Sequence, residues 1–127
     1  MSFHVLLVED ELDFANTLAE RLALRDIRAD VVSEASDAVD KAKKNDYDVV
    51  LLDLVLWHAR GFDVLKEIKE NKPEVPVILL SGRGSEKDFE EGMKKGAYDY
   101  LVKPVQIEQL IEKMNQAASS KTGKAGT

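Results

Sequence analysis

The sequence predicts an α/β fold in which five parallel strands form one doubly wound sheet with helices on both faces. Five short apolar runs alternate with segments whose apolar residues recur every three or four positions, which is typical of strands alternating with amphipathic helices. The third run, Val49–Leu52, is aliphatic at every position, as expected of a strand buried on both faces. At 127 residues, the chain is long enough for one sizeable core and too short for two.

The first half of the chain contains two predicted strands, each followed by a helix. Phe3–Val8 is the first strand, and the acidic run Glu9–Glu11 follows it directly. Apolar and polar residues largely alternate in Ile27–Val32, which predicts a second strand at or near an edge of the sheet. The two helices are predicted from apolar residues at helical spacing: Leu12, Ala15, Ala19 and Leu22 in the first, and Ala35, Ala38, Val39 and Ala42 in the second.

The second half begins with the third strand, which ends abruptly at Asp53. Gly61 breaks the following loop, and a helix then runs until Pro73 prevents its continuation. The fourth strand is predicted at Val75–Leu80, directly before Ser81. The inner face of the intervening helix is predicted at Phe62, Leu65 and Ile68.

A short helix, the fifth strand and a final helix complete the pattern. Ser85 and Asp88 resemble a capping box at the start of the short helix, which ends before Gly96. Because this helix contains Gly92, we expect it to be the least stable of the five. The fifth strand is predicted at Tyr98–Val102. The inner faces of the two helices are predicted at Phe89 and Met93, and at Ile107, Leu110, Ile111 and Met114.

Composition narrows the classes of site and partner. The absence of cysteine excludes disulfides and thiolate metal sites. The apolar run at the amino terminus, about five residues long, is too short for a signal peptide or a membrane span, so we expect a cytoplasmic protein. A net charge of −6 opposes nonspecific binding of nucleic acid by this chain. Residues 1–118 are predicted to form the domain, and the small, polar residues 119–127 a disordered tail or linker stub.

The predicted strands bring polar residues together at one edge of the sheet. Since each crossover between parallel strands is right-handed, the simplest arrangement for this length is the flavodoxin-like strand order 2-1-3-4-5. Strands one, three, four and five then lie side by side, and ligands bind outside the carboxyl ends of such strands. The residues at those ends are Glu9, Asp10, Asp53, Ser81 and Lys103.

Three carboxylates gathered at one edge repel one another. A like-charged pair about 4 Å apart costs roughly 4 kcal/mol at an effective dielectric constant near 20. Lys103 can neutralise one charge, but Mg²⁺, which favours carboxylates, water and phosphate oxygens, does so better, and no His or Cys cluster suits a softer metal. The cation would also neutralise a phosphoryl group whose other oxygens contact Lys103 and Ser81. Asp53, central in the sheet, is then the best candidate for a covalent phosphoryl acceptor.

A set of residues in the expected order and positions now identifies a family resemblance. The set resembles the signature of the response regulator receiver domain of bacterial two-component signalling, and the resemblance extends from Phe3 to about Gln116. It implies a chemotaxis-regulator-like fold and a phosphorylation-dependent signalling switch. The residues that carry it are Glu9, Asp10, Asp53, Ser81, Tyr100, Lys103 and Pro104.

The resemblance implies a role for each of these residues. Asp53 would be the phosphoacceptor, and Glu9 and Asp10 would hold Mg²⁺ together with Asp53 and the backbone carbonyl of Val55. Lys103, followed by a cis bond to Pro104, would bind a phosphoryl oxygen. The switch residues would be Ser81, whose hydroxyl moves to the phosphoryl group, and Tyr100, which rotates inward.

The resemblance also implies partners. The phosphodonor would be a sensor histidine kinase or a phosphotransfer protein, and the receiver of the signal a downstream effector or an attached output domain. The surface of the fourth helix, fifth strand and fifth helix would bind that partner or form a homodimer. The domain would be a regulatory phosphoacceptor, catalysing only its own phosphotransfer and autodephosphorylation, without binding nucleic acid or membrane itself.

The chain departs from the family pattern in the loop after Asp53. Trp57 stands where the family usually has proline, and it either anchors a partner or covers the edge of the core. Val55 and Arg83 occupy positions that tune phosphoryl lifetime in the family. Because Arg83 is long and cationic, the motif leaves that lifetime open.

Three other functions are alternatives to the switch. A phosphatase of the haloacid-dehalogenase type needs a second Asp two residues after the first, where this chain has Val55. A flavin- or nucleotide-binding module of flavodoxin type is opposed by the acidic run Glu9–Glu11, which would repel a pyrophosphate. A receiver-like interaction domain that is no longer phosphorylated is opposed by the complete set of site residues.

Overall fold

The computed structural model describes residues 3–56, 59–82 and 86–126 of the chain. Within them, the strands of the main sheet are β1 (Phe3–Val8), β2 (Ile27–Val32), β3 (Val49–Asp53), β4 (Val77–Ser81) and β5 (Asp99–Val102). The helices are α1 (Leu12–Ala23), α2 (Ala35–Lys44), α3 (Gly61–Asn71), α4 (Glu86–Lys94) and α5 (Ile107–Gly126). Between β3 and α3, a short antiparallel hairpin pairs Val55–Leu56 with Ala59–Arg60.

The main sheet has the strand order β2-β1-β3-β4-β5, and every neighbouring pair is parallel. This confirms the predicted doubly wound α/β fold with its flavodoxin-like order. In the register of the sheet, Leu52 lies opposite Val8, and Asp53 lies opposite Leu80. The strands β1, β3 and β4 therefore end at nearly the same level, which brings the residues after them to a common edge.

Strand β3 is the centre of the core, and all five of its residues are buried. Val50 and Leu52 belong to a cluster with apolar residues of α2, α3 and α4, whereas Val49 and Leu51 belong to a second cluster with α1 and α5. Burying each such side chain contributes about 1.5 to 3 kcal/mol, and a shift of one residue would exchange the two faces. This packing fixes the position of Asp53 at the carboxyl end of β3.

The buried face of α1 differs partly from the prediction. Ala15 and Leu22 are buried as predicted, but Leu12 is exposed and Ala19 is only half-buried. Leu18, which the prediction omitted, is buried. Leu12 is the first helical residue and lies to one side of the stripe formed by the buried positions, so the prediction there was wrong.

Helix α4 approaches the sheet through a glycine. Phe89 is buried as predicted, whereas Met93 is exposed, so its predicted place on the inner face was wrong. Gly92 occupies the inner face instead, and a Cβ at this position would clash with the side chain of Leu79 on β4. The glycine that weakens the helix by propensity thus allows its close packing.

The ends of β4 and of α5 also differ from the prediction. Strand β4 begins at Val77 rather than Val75, because Pro76 has no N–H to donate to the sheet. Helix α5 continues to Gly126, into the segment for which a disordered tail or linker stub was predicted. The domain boundary at residue 118 stays a prediction. No described helix combines the length and apolar character needed to cross a membrane.

Candidate functional site

Polar side chains are buried where the central strands end. Glu9, Asp53 and Ser81 are 0%, 4% and 2% exposed, in contrast to the apolar residues that form the rest of the described core. The backbone ties these positions to the sheet: the N–H of Glu9 donates to Val32, and that of Lys103 donates to Ser81 at 2.7 Å. Since burying polar groups is costly, their collection at one edge indicates a functional site.

Three carboxylates form an acidic cluster at this edge. Oxygen atoms of Glu9, Asp10 and Asp53 lie within 4.8 Å of one another. Glu9 and Asp10 follow β1 directly and Asp53 is the last residue of β3, so the parallel pairing of these strands brings them together. These oxygen atoms could hold a metal ion, and hard oxygen ligands fit Mg²⁺, which was predicted from the residue types and their place at one edge of the sheet.

Lys103 inserts its ammonium among the carboxylates. Its Nζ donates to Glu9 Oε1 at 2.6 Å and to Glu11 Oε1 at 3.2 Å, and it lies 3.6 Å from Asp53 Oδ2. The peptide bond from Lys103 to Pro104 is cis. In the structure, the lysine is therefore paired more closely with Glu9, which follows β1, than with the expected phosphoacceptor.

The electrostatics of the cluster are set by burial and by this ion pair. Burial raises the pKa of Glu9 to about 7; the hydrogen bond from Lys103 acts against the rise and Asp53 adds to it. Burial alone would lower the pKa of Lys103, but Glu9, Asp53 and Glu11 together raise it above its ordinary value. Negative charge is costly at this edge, so the cluster favours a cation.

The two expected switch residues lie on neighbouring strands. Ser81 is buried at the end of β4, where its Cα lies opposite Val102 of β5. Tyr100, also on β5, is exposed, and its ring stacks on Phe89 of α4 with centroids 4.3 Å apart and planes 16° apart. The structure thus brings Ser81 to the acidic edge and places the Tyr100 ring against α4.

The segment after Asp53 is shaped by a close contact between backbone atoms. The N–H of Gly61 donates to Leu54 at 3.1 Å, and a Cβ on Gly61 would lie 2.6 Å from Leu54 Cα. The hairpin that starts at Val55 is closed by this contact, which only glycine permits. The predictions made for Trp57 fall outside the described residues.

The predictions for Arg83 and for the Ser85 capping box also fall outside the described residues.

Sequence reasoning missed two neighbours of Lys103. Glu11 entered the prediction only as part of the acidic run after the first strand, yet its carboxylate contacts the ammonium. Phe14 was not assigned to either face of α1, yet its ring centroid lies 4.5 Å from the Lys103 Nζ. The signal available was position: both residues lie within one helical turn of the acidic pair.

Comparisons with known proteins agree with this geometry. Residues 5–115 match the family model of the response regulator receiver domain. The transcriptional regulatory protein CiaR of Streptococcus pneumoniae is 38% identical over 122 residues, which are 94% of this chain and 53% of that protein. YkoG of Bacillus subtilis, an uncharacterized transcriptional regulatory protein, is 34% identical over 127 residues, which are 98% of this chain and 56% of that protein. The chain spans about half the length of these curated relatives.

A solved structure shows the same architecture. The crystal structure of NtrX from Brucella abortus matches with a TM-score of 0.92 at 28% sequence identity. The match covers 99% of this chain and 29% of that one. As in the comparison with CiaR and YkoG, the similarity extends over nearly all of this chain and over one part of a longer protein.

Proposed function

This chain belongs to the response regulator receiver domain family, and we propose that it is a signalling switch controlled by phosphorylation of Asp53. The observation that carries the proposal is the placement of Asp53. It is a buried carboxylate at the end of the central strand, with Glu9 and Asp10 oxygens within 4.8 Å and a lysine ammonium 3.6 Å away. The phosphodonor is a sensor histidine kinase or a phosphotransfer protein.

Residues of this chain would hold Mg²⁺ at the acidic edge. The ligands are the carboxylates of Glu9, Asp10 and Asp53 and the backbone carbonyl of Val55, at the start of the hairpin. When bound, the cation supplies positive charge that offsets the negative charge of the phosphoryl oxygens. The proximity of the three carboxylates supports this assignment, because a bound cation would offset the repulsion between them.

Phosphoryl transfer is then a single displacement at phosphorus. A carboxylate oxygen of Asp53 forms a bond to the phosphorus of phosphohistidine while the bond from phosphorus to the imidazole nitrogen breaks. Lys103 leaves Glu9 to contact a phosphoryl oxygen, and the Ser81 hydroxyl donates to another. Attack by water on the phosphorus later releases phosphate and restores the Asp53 carboxylate, so the domain is a regulatory phosphoacceptor with autodephosphorylation.

The signal leaves through the surface formed by α4, β5 and α5. Movement of Ser81 toward the phosphoryl group frees the space into which Tyr100 rotates, away from its stack on Phe89. Reversing a 99:1 conformational preference needs roughly 5.5 kcal/mol of differential stabilisation. Several charge-assisted hydrogen bonds of about 1.5 to 3 kcal/mol each are sufficient.

The surface of α4, β5 and α5 contacts a downstream effector, an attached output domain or a second copy of the chain. The switch operates in the cytoplasm, because sensor kinases carry their phosphohistidine there.

Phosphorylation by a small acyl phosphate tests the proposal directly. The protein is incubated with Mg²⁺ and acetyl phosphate, and intact-mass spectrometry is expected to find one added phosphoryl group. The label should be lost with hydroxylamine, which cleaves acyl phosphates, and should not form in Asp53→Asn. The matched control is Asp40→Asn, which changes an exposed aspartate of α2. Labelling that persists in Asp53→Asn, or never forms in the unmodified chain, overturns the proposal.

A further inference from the structure

The ammonium of Lys103 has an aromatic neighbour, Phe14, which is not among the site residues predicted above. Its Nζ lies 4.5 Å from the ring centroid of Phe14, on the first turn of α1. The ring is half-buried and packs against the core cluster between the sheet, α1 and α5. A cation within about 6 Å of a ring centroid is attracted by the negative face of the ring. The lysine is thus held from the α1 side by an anchored ring.

This neighbour differs in kind from the other groups around the ammonium. Glu9 and Asp53 are carboxylates of the acidic cluster, so a cation bound there competes with the lysine for them. Glu11 is 68% exposed, and ion pairs at such exposed positions contribute little. Phe14 carries no charge and has no metal ligand atom, so a cation bound by the carboxylates does not compete with the lysine for it.

We propose that Phe14 is a positioning residue for Lys103, whose ring face keeps the ammonium at the acidic edge by a cation–π contact when the carboxylates turn to a bound cation. The inference rests on the proposed function, because its consequence is measured at Asp53. The ring limits where the lysine can go once Glu9 releases it. Lys103 then samples fewer side-chain conformations before it contacts the phosphoryl oxygen.

Fluorination of the ring separates its electrostatic effect from its shape. Phenylalanine with one, two and three ring fluorines is placed at position 14, which weakens the negative ring face stepwise while the volume changes little. The rate of Asp53 phosphorylation by acetyl phosphate, at saturating Mg²⁺, is expected to fall stepwise, by about fivefold over the series. A flat series overturns the inference, because a ring that only fills space would tolerate the fluorines.

Substitutions by standard amino acids at position 14, and fluorinated residues at a control position, complete the test. Phe14→Tyr keeps an aromatic face and should keep the rate, whereas Phe14→Leu should slow it as the fluorinated rings do. The same fluorinated residues at Phe3, which packs against the same core cluster at the other end of β1, should leave the rate unchanged. Equal losses at both positions would show a general effect on the core and would overturn the inference.

A second measurement does not depend on phosphorylation. In NMR spectra without Mg²⁺ or phosphodonor, the ε-methylene protons of Lys103 should be shifted upfield by the ring, and the shift should vanish in Phe14→Leu. The shift should persist when Mg²⁺ is added. Absence of the shift, or its loss with Mg²⁺, overturns the inference even if Asp53 is labelled. A shift that persists in a chain whose Asp53 is never labelled overturns the proposed function and leaves only the contact.

Discussion

Under the proposed function, Lys103 changes partners when Asp53 is phosphorylated. Its ammonium is 2.6 Å from Glu9 and 3.6 Å from Asp53, so Glu9 holds the charge that the proposed phosphoryl group would contact. The pairing also stabilises the folded chain, because an unpaired buried Glu9 would be costly. A single lysine therefore serves the stability of the resting site and, as we propose, the chemistry of the occupied one.

Replacing Lys103 by methionine separates these roles. Phosphorylation of Asp53 by acetyl phosphate should slow by about 100-fold or more, because one preorganised charged donor to the phosphoryl group is lost. Binding of Mg²⁺, measured by calorimetry, should persist, since the carboxylates remain and their competing cation is gone. Lys113→Met is the matched control, because Lys113 is also ion-paired, to Asp99 at 2.7 Å, but lies away from the acidic edge. Loss of Mg²⁺ binding together with phosphorylation in Lys103→Met would contradict this assignment.

At the scale of secondary-structure elements, the site depends on how the chain turns after β3. The hairpin between Val55 and Arg60 returns the chain to Leu54, where Gly61 begins α3. Sequence periodicity could not predict this hairpin, because each of its strands has only two residues. The close approach of Gly61 to Leu54 fixes the direction in which the chain leaves Asp53.

Alanine substitution at two glycines tests this closure. In Gly61→Ala the new Cβ would lie 2.6 Å from backbone atoms of Leu54, which cannot move without shifting the segment after Asp53. The free energy of unfolding in urea should fall by about 1 to 3 kcal/mol, as for other overpacked sites. Gly82→Ala is the control, because a Cβ there has no neighbour within 4 Å among the described residues. Equal stability of the two variants would be inconsistent with a tight turn at Gly61.

The opposite ends of β1, β2 and β3 are joined by a polar network. Asp30 on β2 accepts hydrogen bonds from the Tyr47 hydroxyl at 2.8 Å and, when Nε2 carries the proton, from the His4 ring at 2.9 Å. Burial opposes the charge of Asp30, but these two partners outweigh burial and lower its pKa below the ordinary value. The network links strands at the end of the sheet farthest from the acidic cluster.

The lowered pKa of Asp30 predicts acid sensitivity. The carboxylate stabilises the fold above its unfolded-state pKa of about 4, and that contribution is lost as pH falls through the lower folded-state pKa. Asp30→Asn should reduce the free energy of unfolding by about 1 to 2 kcal/mol at neutral pH. The difference from the unmodified chain should shrink as urea titrations are repeated toward pH 3. A difference that grows on acidification would contradict the assignment.

On the scale of the whole molecule, the sequence predicts the fold better than it predicts the contacts between side chains. Alternating periodicities specify strand and helix, and parallel strands bring the residues after them to one edge, so Glu9, Asp53 and Lys103 could be grouped without coordinates. The contact of Phe14 with Lys103 depends on side-chain conformations that periodicity does not contain. The prediction for Gly92 used helix propensity alone. Its role in packing depends on the distance between α4 and β4, which propensity does not contain.

The acidic cluster should couple Mg²⁺ to the stability of the whole domain. A ligand that binds only the folded chain stabilises it by about 2.7 kcal/mol at 100 times its dissociation constant. Thermal unfolding should therefore shift upward with Mg²⁺ and much less in Asp10→Asn. Because the chain carries a net charge of −6, NaCl of equal ionic strength is the control for general screening. An equal shift with NaCl would contradict a specific site.

The position of Asp53 on β3 has a consequence for amide hydrogen exchange. Strand β3 is buried along its whole length and pairs on both sides, so its amides should open only in near-global unfolding. Strand β5 pairs on one side and is buried only at Leu101, so it should exchange faster. Asp53, the proposed phosphoacceptor, should then lie in the slowest-exchanging part of the sheet and Tyr100 in a faster-exchanging one. The order of the strands therefore places Asp53 on a strand that should open rarely and Tyr100 on a strand that should open more easily.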